Sequence, residues 1–189
     1  MNQELDTLAR RLQEILREKS YTIACAESLT AGLVCATLCD IAGASDVVAG
    51  GVTTYQTSTK SEILGVSRSR LQETGAVDPV VAEAMAQGAA KLFSADVALA
   101  TTGVAGPGSQ DGHSAGSVFI SVATPAGGAT TELSLSGDRN QIRLQTVAAV
   151  LQLAIEALSE ALVGGTDSSG NLEAWHTITK SNWLRRKLL

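Results

Sequence analysis

The sequence has 189 residues, of which 44% are hydrophobic, 17% are charged and 3% are aromatic, and its formal net charge is -5 at pH 7. This length and composition suit one α/β domain packed mainly by Ala, Val, Leu and Gly, and the negative charge argues against a nucleic acid as the main partner. The charged N-terminal segment is unlike a signal peptide, and no uninterrupted apolar run reaches the ~18 residues of a membrane span, so we expect a cytoplasmic protein without membrane contact.

Hydrophobic periodicity and turn residues predict elements in the order α-β-α-β-α-α-β-β-β-α. We predict helices over residues 3–19, 30–40, 59–65, 78–93 and 140–162, and strands over residues 21–26, 47–55, 96–102, 117–124 and 130–135. The last two strands are separated by turn residues and should form an antiparallel hairpin. The order predicts a single three-layer α/β/α domain with a mixed, mostly parallel sheet.

Capping residues mark the start of two of these helices. Asp78 followed by Pro79 is a good N-cap with proline at the first helical position. Thr59 and Glu62 fit a capping box, with Thr59 as the N-cap. That alignment places Lys60 in the first helical turn, where the helix dipole disfavours a cation and so favours the neutral amine.

The C-terminal region differs in composition from the rest. Residues 164–170 resemble a flexible linker, so we divide the chain into a domain over 1–163 and a linker with tail over 164–189. The tail contains both tryptophans, Trp175 and Trp183, and a basic segment at 185–187. It is either a solvated appendage or a short segment that docks on a neighbouring subunit. Its apolar side chains favour docking, and we expect a homo-oligomer, dimer or higher.

The three cysteines, Cys25, Cys35 and Cys39, do not predict a disulfide framework because their number is odd. Neither a histidine nor another cysteine lies at metal-ligand spacing. We therefore predict buried thiols, and neither a metal nor a cofactor.

A strand-to-helix junction carries Glu27, Ser28 and Thr30. The two hydroxyls could cap the following helix, or the free N–H groups of the helix start could hold an anion or an oxyanion. A glycine-rich loop at 103–108 resembles a phosphate cradle only loosely, since it lacks the G-K-[ST] of a P-loop, and a flexible loop fits it equally well.

Hydroxyl and amine side chains also follow the other strands. Tyr55 and Lys60 come after the second strand, and Thr101 and Thr102 end the third. If these strands are parallel neighbours, the side chains meet Ser28 at one edge of the sheet. A serine with a lysine indicates a Ser-Lys hydrolase, provided that the lysine pKa is lowered.

A Ser-His-Asp triad fits the sequence poorly. The two histidines are His113, in the glycine-rich loop, and His176, in the tail. Neither has a nearby carboxylate in the sequence that could orient it as a general base.

Eight short motifs occur in one order along residues 5–160. They are E-S-x-T at 27–30, G-A-S at 43–45, G-G-V-x-x-Y at 50–55 with Lys60, L-G-V at 64–66, G-A-V at 75–77, T-G-V-A-G-P at 102–107, G-S-V at 116–118 and G-D-R at 137–139. This series resembles the CinA C-terminal-domain family, whose characterised activity is nicotinamide mononucleotide amidohydrolase.

The resemblance implies hydrolysis of the carboxamide of nicotinamide mononucleotide to nicotinic acid mononucleotide and ammonia. It implies Ser28 as the nucleophile and Lys60 as the general base, with Tyr55 and Thr102 completing the catalytic set. We expect oxyanion donors at the start of the 30–39 helix and near Gly103, and we expect Arg139 to contact the phosphate. The full set of expected substrate contacts is Glu27, Thr30, Ala31, Gly32, Gly51, Gly103, Gly106 and Arg139.

Three departures from the family pattern leave alternatives open. The family's E-S-C-T-G-G reads E-S-L-T-A-G here, so Leu29 replaces a cysteine and Ala31 replaces a glycine. The family's K-P-V-G-T-V loop lacks its lysine and proline around residues 112–118. A nucleotide-binding paralogue without turnover and an amidase for another small amide are the alternative functions.

Overall fold

The structure, a computed structural model, describes residues 3–160 and the backbone of residues 175–177. Its helices are α1 Gln3–Lys19, α2 Leu33–Cys39, α3 Thr57–Leu64, α4 Arg68–Thr74, α5 Pro79–Phe93 and α6 Arg139–Glu160, with a 3-10 turn at Ala44–Asp46. Its strands are β1 Ile23–Glu27, β2 Val48–Thr53, β3 Val97–Gly103, β4 Ser117–Thr124, β5 Gly127–Ser134 and β6 Trp175–Thr177.

The strands form a mixed sheet in the order β2-β1-β3-β4-β5-β6. The central strand β1 is parallel to both β2 and β3, so that Ala24 pairs with Gly50 on one side and with Ala98 on the other. The pairs β3–β4 and β4–β5 are antiparallel. The predicted mixed sheet and its hairpin are confirmed. Because β2, β1 and β3 run in parallel, their carboxyl ends lie at one edge.

Helices cover both faces of the sheet, which confirms the three-layer prediction. Side chains alternate along β1: Ile23 and Cys25 join the core formed with α1, α2 and α6, whereas Ala24 and Ala26 join the core formed with α3, α4 and α5. Small residues let helices approach closely on the second face. A Cβ added at Gly88 of α5 would lie 2.2 Å from the Leu64 carbonyl oxygen at the end of α3.

Two helices on the second face differ from the prediction. The capping box with Thr59 is wrong, since α3 begins at Thr57 and the Thr59 hydroxyl donates to the Gln56 carbonyl at 2.8 Å from inside the helix. Lys60 is therefore the fourth helical residue. Helix α4 was not predicted; Ser67 caps it by accepting a hydrogen bond from the Arg70 N–H at 3.3 Å.

The long helix α6 is apolar because it packs in the core of the domain. By length and composition alone, Arg139–Ser159 could cross a membrane, but half of that stretch is buried inside this domain. It packs against α1, β4 and β5, as the core helix of a globular protein does.

The predictions for residues 164–189 lie outside the described residues, apart from the backbone of β6. That backbone pairs in parallel with β5 over Gly128–Thr130. Residues 175–177 are therefore a strand, whereas a short helix was one of the alternatives for the tail. Docking of the tail on a neighbouring subunit stays a prediction.

The cysteines lie together on β1 and α2. Cys25 is buried as predicted, Cys35 is partly buried, and Cys39 is exposed, which makes the prediction of a buried thiol wrong there. A hydrogen bond between Cys25 and Cys35 lowers the pKa of the Cys35 thiol to about 7 and raises that of Cys25. Among the described residues, no group of His, Cys, Asp and Glu is arranged to hold a metal ion.

Candidate active site

Ser28 is the first residue after β1, at the edge where the parallel strands end. Its N–H donates to the Thr101 carbonyl of β3 at 3.0 Å, which fixes the start of the turn between β1 and α2. The serine is 8% exposed and lines a cavity of about 200 Å³. The chain thus presents a largely buried hydroxyl to an open space large enough for a small ligand group.

Lys60 approaches Ser28 from α3. Its side chain is fully buried, and its Nζ donates to Ser28 Oγ at 3.1 Å and to the Thr54 carbonyl at 2.6 Å. Thr54 follows β2 directly, so the lysine joins the ends of two neighbouring strands. This contact between residues 32 positions apart brings a hydroxyl and an amine within hydrogen-bond distance, which is the arrangement that a Ser-Lys mechanism needs.

Burial also changes the protonation of Lys60. It disfavours the ammonium form and lowers the pKa of Lys60 from 10.5 to about 8, against the opposing charge of Asp111. The sequence left open burial or the positive potential of a helix terminus as the cause of a lowered lysine pKa, and in the structure the cause is desolvation by burial. A lysine with this pKa is neutral in a useful fraction of molecules near neutral pH, as a general base must be.

Seven of the twelve residues predicted for the site line this one cavity: Ser28, Tyr55, Lys60, Thr102, Gly103, Gly106 and Arg139. The other lining residues are Leu29, Ala76, Val77, Val104, Ala105, Gly108, Ser109 and Gln110. The cavity therefore lies between the ends of β1 and β3, the 75–77 segment and the glycine-rich loop.

A cation and a phenol stand at the mouth of the cavity. The Arg139 guanidinium donates to the Tyr55 hydroxyl at 2.8 Å and to the Gly106 carbonyl at 2.9 Å. Both side chains are exposed, with Tyr55 at 56%. The hydroxyl of Tyr55 is thus bonded to Arg139 and not to Lys60.

Thr102 supports a wall of the cavity. Its hydroxyl is buried and donates to the Ala76 carbonyl at 2.7 Å. The contact holds the 75–77 segment against the end of β3. Thr102 is thus bonded to the backbone of Ala76, whereas Lys60 is bonded to Ser28 and Thr54.

Glu27 forms hydrogen bonds with Gly32 and with the start of α2. The buried Glu27 carboxylate accepts hydrogen bonds from the N–H groups of Gly32, Val34 and Cys35 at 2.9–3.1 Å. Glu27 is thus the residue that caps α2, in place of Ser28 or Thr30. These three amides therefore have no hydrogen left for a ligand.

The remaining predicted residues also lie outside the cavity lining. The buried Thr30 hydroxyl shares a 2.7 Å hydrogen bond with Thr101 Oγ1. Ala31 is exposed, with a left-handed φ of 54°. Gly51 gives α2 close access to β2, because a Cβ there would lie 3.0 Å from Cys35 Sγ.

Arg143 is a contributor to the site that the sequence analysis missed. Its guanidinium donates to the Leu29 carbonyl at 3.1 Å and to the Thr30 carbonyl at 2.7 Å. It thereby clamps the turn that carries Ser28. Its position one helical turn after Arg139, on the same face of α6, was the only signal in the sequence.

The same turn offers a backbone donor. No described residue accepts a hydrogen bond from the Leu29 N–H, and Leu29 lines the cavity directly after Ser28. The N–H of the residue after a nucleophile is a common oxyanion donor in hydrolases.

Comparisons with known proteins agree with this architecture. Residues 5–158 match the family model described as the CinA C-terminal domain. The chain is 45% identical over 139 residues to a competence-damage inducible protein of Streptococcus agalactiae (strain NEM316), covering 73% of this chain and 33% of that protein. It is 44% identical over 142 residues to one of Shouchella clausii, covering 75% and 34%. The chain thus spans about a third of the length of these curated relatives.

Solved structures show the same fold. The competence/damage inducible protein CihA of Agrobacterium tumefaciens superposes with a TM-score of 0.80 at 34% identity, covering 84% of this chain and 98% of that one. A CinA superfamily protein of Klebsiella pneumoniae gives a TM-score of 0.80 at 29% identity, covering 82% and 98%. On the family match, the sequence identities and the shared fold, this chain belongs to the CinA C-terminal-domain family.

Proposed function

We propose that this domain hydrolyses the carboxamide of nicotinamide mononucleotide, giving nicotinic acid mononucleotide and ammonia. The observation that carries the proposal is the 3.1 Å contact between the buried Lys60 Nζ and Ser28 Oγ at the wall of a cavity. Burying a lysine costs folding free energy, and activation of the neighbouring serine is a function that fits the lowered pKa of Lys60.

The first half of the reaction forms an ester on Ser28. Neutral Lys60 accepts the hydroxyl proton while Oγ bonds to the amide carbon. Lys60 then gives that proton to the leaving nitrogen, the C–N bond breaks, and ammonia departs. Throughout, the Thr54 carbonyl accepts one N–H of Lys60, which keeps the lone pair of the neutral amine directed toward Ser28.

In the second half, water hydrolyses this ester. Lys60 takes a proton from the attacking water and returns it to Ser28 Oγ as the acid product forms. In the tetrahedral intermediate of each half, the former carbonyl oxygen of the substrate carries negative charge. The Leu29 N–H, unbonded among the described residues, is the donor that we assign to stabilise it. Arg143 keeps that donor in position through its two bonds to the turn.

The dimensions of the cavity and its mouth support a nucleotide as the substrate. A volume of about 200 Å³ is below the ~300–1,000 Å³ of sites that enclose whole drug-sized ligands. It suits a pyridine carboxamide, with the remainder of the ligand extending outward. Arg139 at the mouth then meets the phosphate, for which its planar guanidinium is well suited.

The test is release of ammonia by the purified protein from a panel of related amides. Nicotinamide mononucleotide should be hydrolysed faster than nicotinamide riboside, which has no phosphate, and free nicotinamide should be slowest. Binding of the mononucleotide without ammonia release would favour the nucleotide-binding alternative. Release from another small amide, with none from the mononucleotide, would favour the other amidase and would refute our proposal.

A further inference from the structure

Three thiols lie close to the turn that carries Ser28. Cys25 is on β1 and fully buried, Cys35 is partly buried in the first turn of α2, and Cys39 is exposed at the end of that helix. The proposed hydrolysis uses none of them. Cys25 and Cys35 stand on either side of the turn, so a bond between them would enclose residues 26–34, with Ser28 among them.

Gly51 of β2 lets the side chain of Cys35 reach that of Cys25. In the sheet, Gly51 is the residue that pairs with Cys25. A Cβ added at Gly51 would lie 3.4 Å from Cys25 Cβ, 3.1 Å from Cys35 Cβ and 3.0 Å from Cys35 Sγ. Both cysteines therefore meet at the point where Gly51 has no side chain, and both pack in the core on the α1, α2 and α6 face.

This arrangement suits a disulfide between β1 and α2. The two sulfur atoms are within hydrogen-bond distance of each other. A disulfide needs Cβ atoms about 3.5–4.5 Å apart, a separation that two side chains in contact beside a glycine can reach by small rotations. Since the chain crosses from one cysteine to the other through a short turn, the bond would not need a rearrangement of the sheet.

Cys39 is a less suitable partner for Cys35. The two cysteines are four positions apart on one helix, where Cβ atoms are about 5–6 Å apart. That separation exceeds the one that a disulfide needs, and the hydrogen bonds of the helix hold it fixed. Cys25 is therefore the partner that the geometry favours.

Cys35 is the thiol suited to react first. The hydrogen bond from Cys25 lowers the pKa of Cys35 to about 7, against desolvation by burial and the charge of Glu27. A large fraction of Cys35 is then thiolate near neutral pH, and the thiolate is the form that attacks an oxidant. Cys35 also keeps the partial exposure that a dissolved oxidant requires. The pKa values of Cys25 and Cys39 are raised instead.

We propose that Cys25 and Cys35 form a redox-active pair that a peroxide converts into a disulfide. The Cys35 thiolate attacks one oxygen of hydrogen peroxide, the O–O bond breaks, and Cys35 becomes a sulfenic acid as hydroxide leaves. The Cys25 sulfur then bonds to the Cys35 sulfur, the S–O bond breaks, and the departing hydroxide takes the Cys25 proton to form water. Two thiols are oxidised and one peroxide is reduced. This reaction does not depend on the proposed amidase activity.

The test treats the reduced full chain with a small excess of hydrogen peroxide, blocks the remaining thiols with iodoacetamide and maps the cysteines by mass spectrometry. Trypsin leaves all three on one peptide, because residues 20–59 contain neither lysine nor arginine. A glutamate-specific protease and chymotrypsin separate them by cutting after Glu27 and Leu38. We expect the fragment that ends at Glu27 to be joined to the one that contains Cys35, with Cys39 alkylated.

Three single variants assign the roles of the thiols. Cys39→Ser is the matched control, which removes the exposed thiol and should form the disulfide at close to the native rate. Cys25→Ala lacks the resolving thiol, so Cys35 should stop at the sulfenic acid, which dimedone labels. Cys35→Ala should lose thiols to peroxide at least about tenfold more slowly than the native protein, since the most acidic thiol is absent.

The native protein alone can overturn the proposal, so it stays testable even where a variant does not fold. Three alkylated thiols after peroxide treatment would overturn it, as would a disulfide between Cys35 and Cys39. A native rate of thiol loss in a folded Cys35→Ala protein would do the same. A disulfide between Cys25 and Cys35 that dithiothreitol reverses, returning three thiols, is the result that we expect.

Discussion

The burial of Lys60 should be measurable as a pH-dependent cost to stability, which the variant Lys60→Met removes. Because the pKa of Lys60 falls from 10.5 in the unfolded chain to about 8 in the folded protein, the unfolded chain binds one more proton between those pH values. The free energy of unfolding of the native protein must therefore rise with pH across this window. Methionine does not titrate, so the variant lacks this rise.

The size of the effect follows from the two pKa values. The whole window corresponds to about 3 kcal/mol, of which about 2 kcal/mol falls between pH 7.5 and pH 10. Methionine also loses the bonds to Ser28 Oγ and the Thr54 carbonyl, at a cost of ~1–3 kcal/mol. That cost does not depend on pH, so it cancels when the native-minus-variant difference is compared at two pH values.

Urea unfolding of both proteins at several pH values measures the difference. From pH 7.5 to pH 10, the native protein should gain about 2 kcal/mol relative to Lys60→Met, which is about 1 M in the urea midpoint. Lys91→Met, at an exposed position in the last turn of α5, is the control and should show no such trend. A native-minus-variant difference that stays constant with pH would refute the lowered pKa and the neutral base with it.

Three further substitutions test other parts of the account. Glu27→Gln should lower the free energy of unfolding by ~1–2 kcal/mol in thermal melts, because it weakens three bonds to the α2 start; an unchanged melt would contradict the capping role. Ala31→Gly should stabilise the protein by about 1 kcal/mol, since φ is 54° there; a loss of stability would contradict that strain. Arg139→Met should raise KM for nicotinamide mononucleotide about tenfold or more with little change in kcat; an equal loss with nicotinamide riboside would show that Arg139 does not meet the phosphate.

The sequence was sufficient for most of the fold because the signals were local. The apolar stripe of α1, the Asp78-Pro79 start of α5 and the apolar run of β4 predicted bounds that match the structure. The predicted ranges 3–19, 78–93 and 117–124 correspond to Gln3–Lys19, Pro79–Phe93 and Ser117–Thr124. Helix α4 was not predicted because only Leu71 of its seven residues is buried, and one apolar position does not make a periodic pattern. The misplaced start of α3 came from a capping motif that matched by spacing alone.

The convergence of Ser28 and Lys60 could be predicted because it depends on strand order. Once β2, β1 and β3 are parallel neighbours, residues that follow them must meet at one edge. The contacts of Arg143 could not be predicted, since they join segments that only the packed fold brings together. Arg143 reaches the Leu29 and Thr30 carbonyls from more than 110 positions away in the sequence. Likewise, the sequence showed a carboxylate next to Ser28 but not that Glu27 turns away into α2.

The most direct test of the Ser-Lys mechanism is the rate of ammonia release from nicotinamide mononucleotide by three proteins: native, Ser28→Ala and Lys60→Arg. Ser28→Ala removes the nucleophile, and Lys60→Arg keeps a positive charge that cannot accept a proton in this pH range. We predict ammonia and nicotinic acid mononucleotide in equal amounts from the native protein, and a rate at least about a thousandfold lower in each variant. A Ser28→Ala protein with a near-native rate, or full activity in Lys60→Arg, would contradict the mechanism.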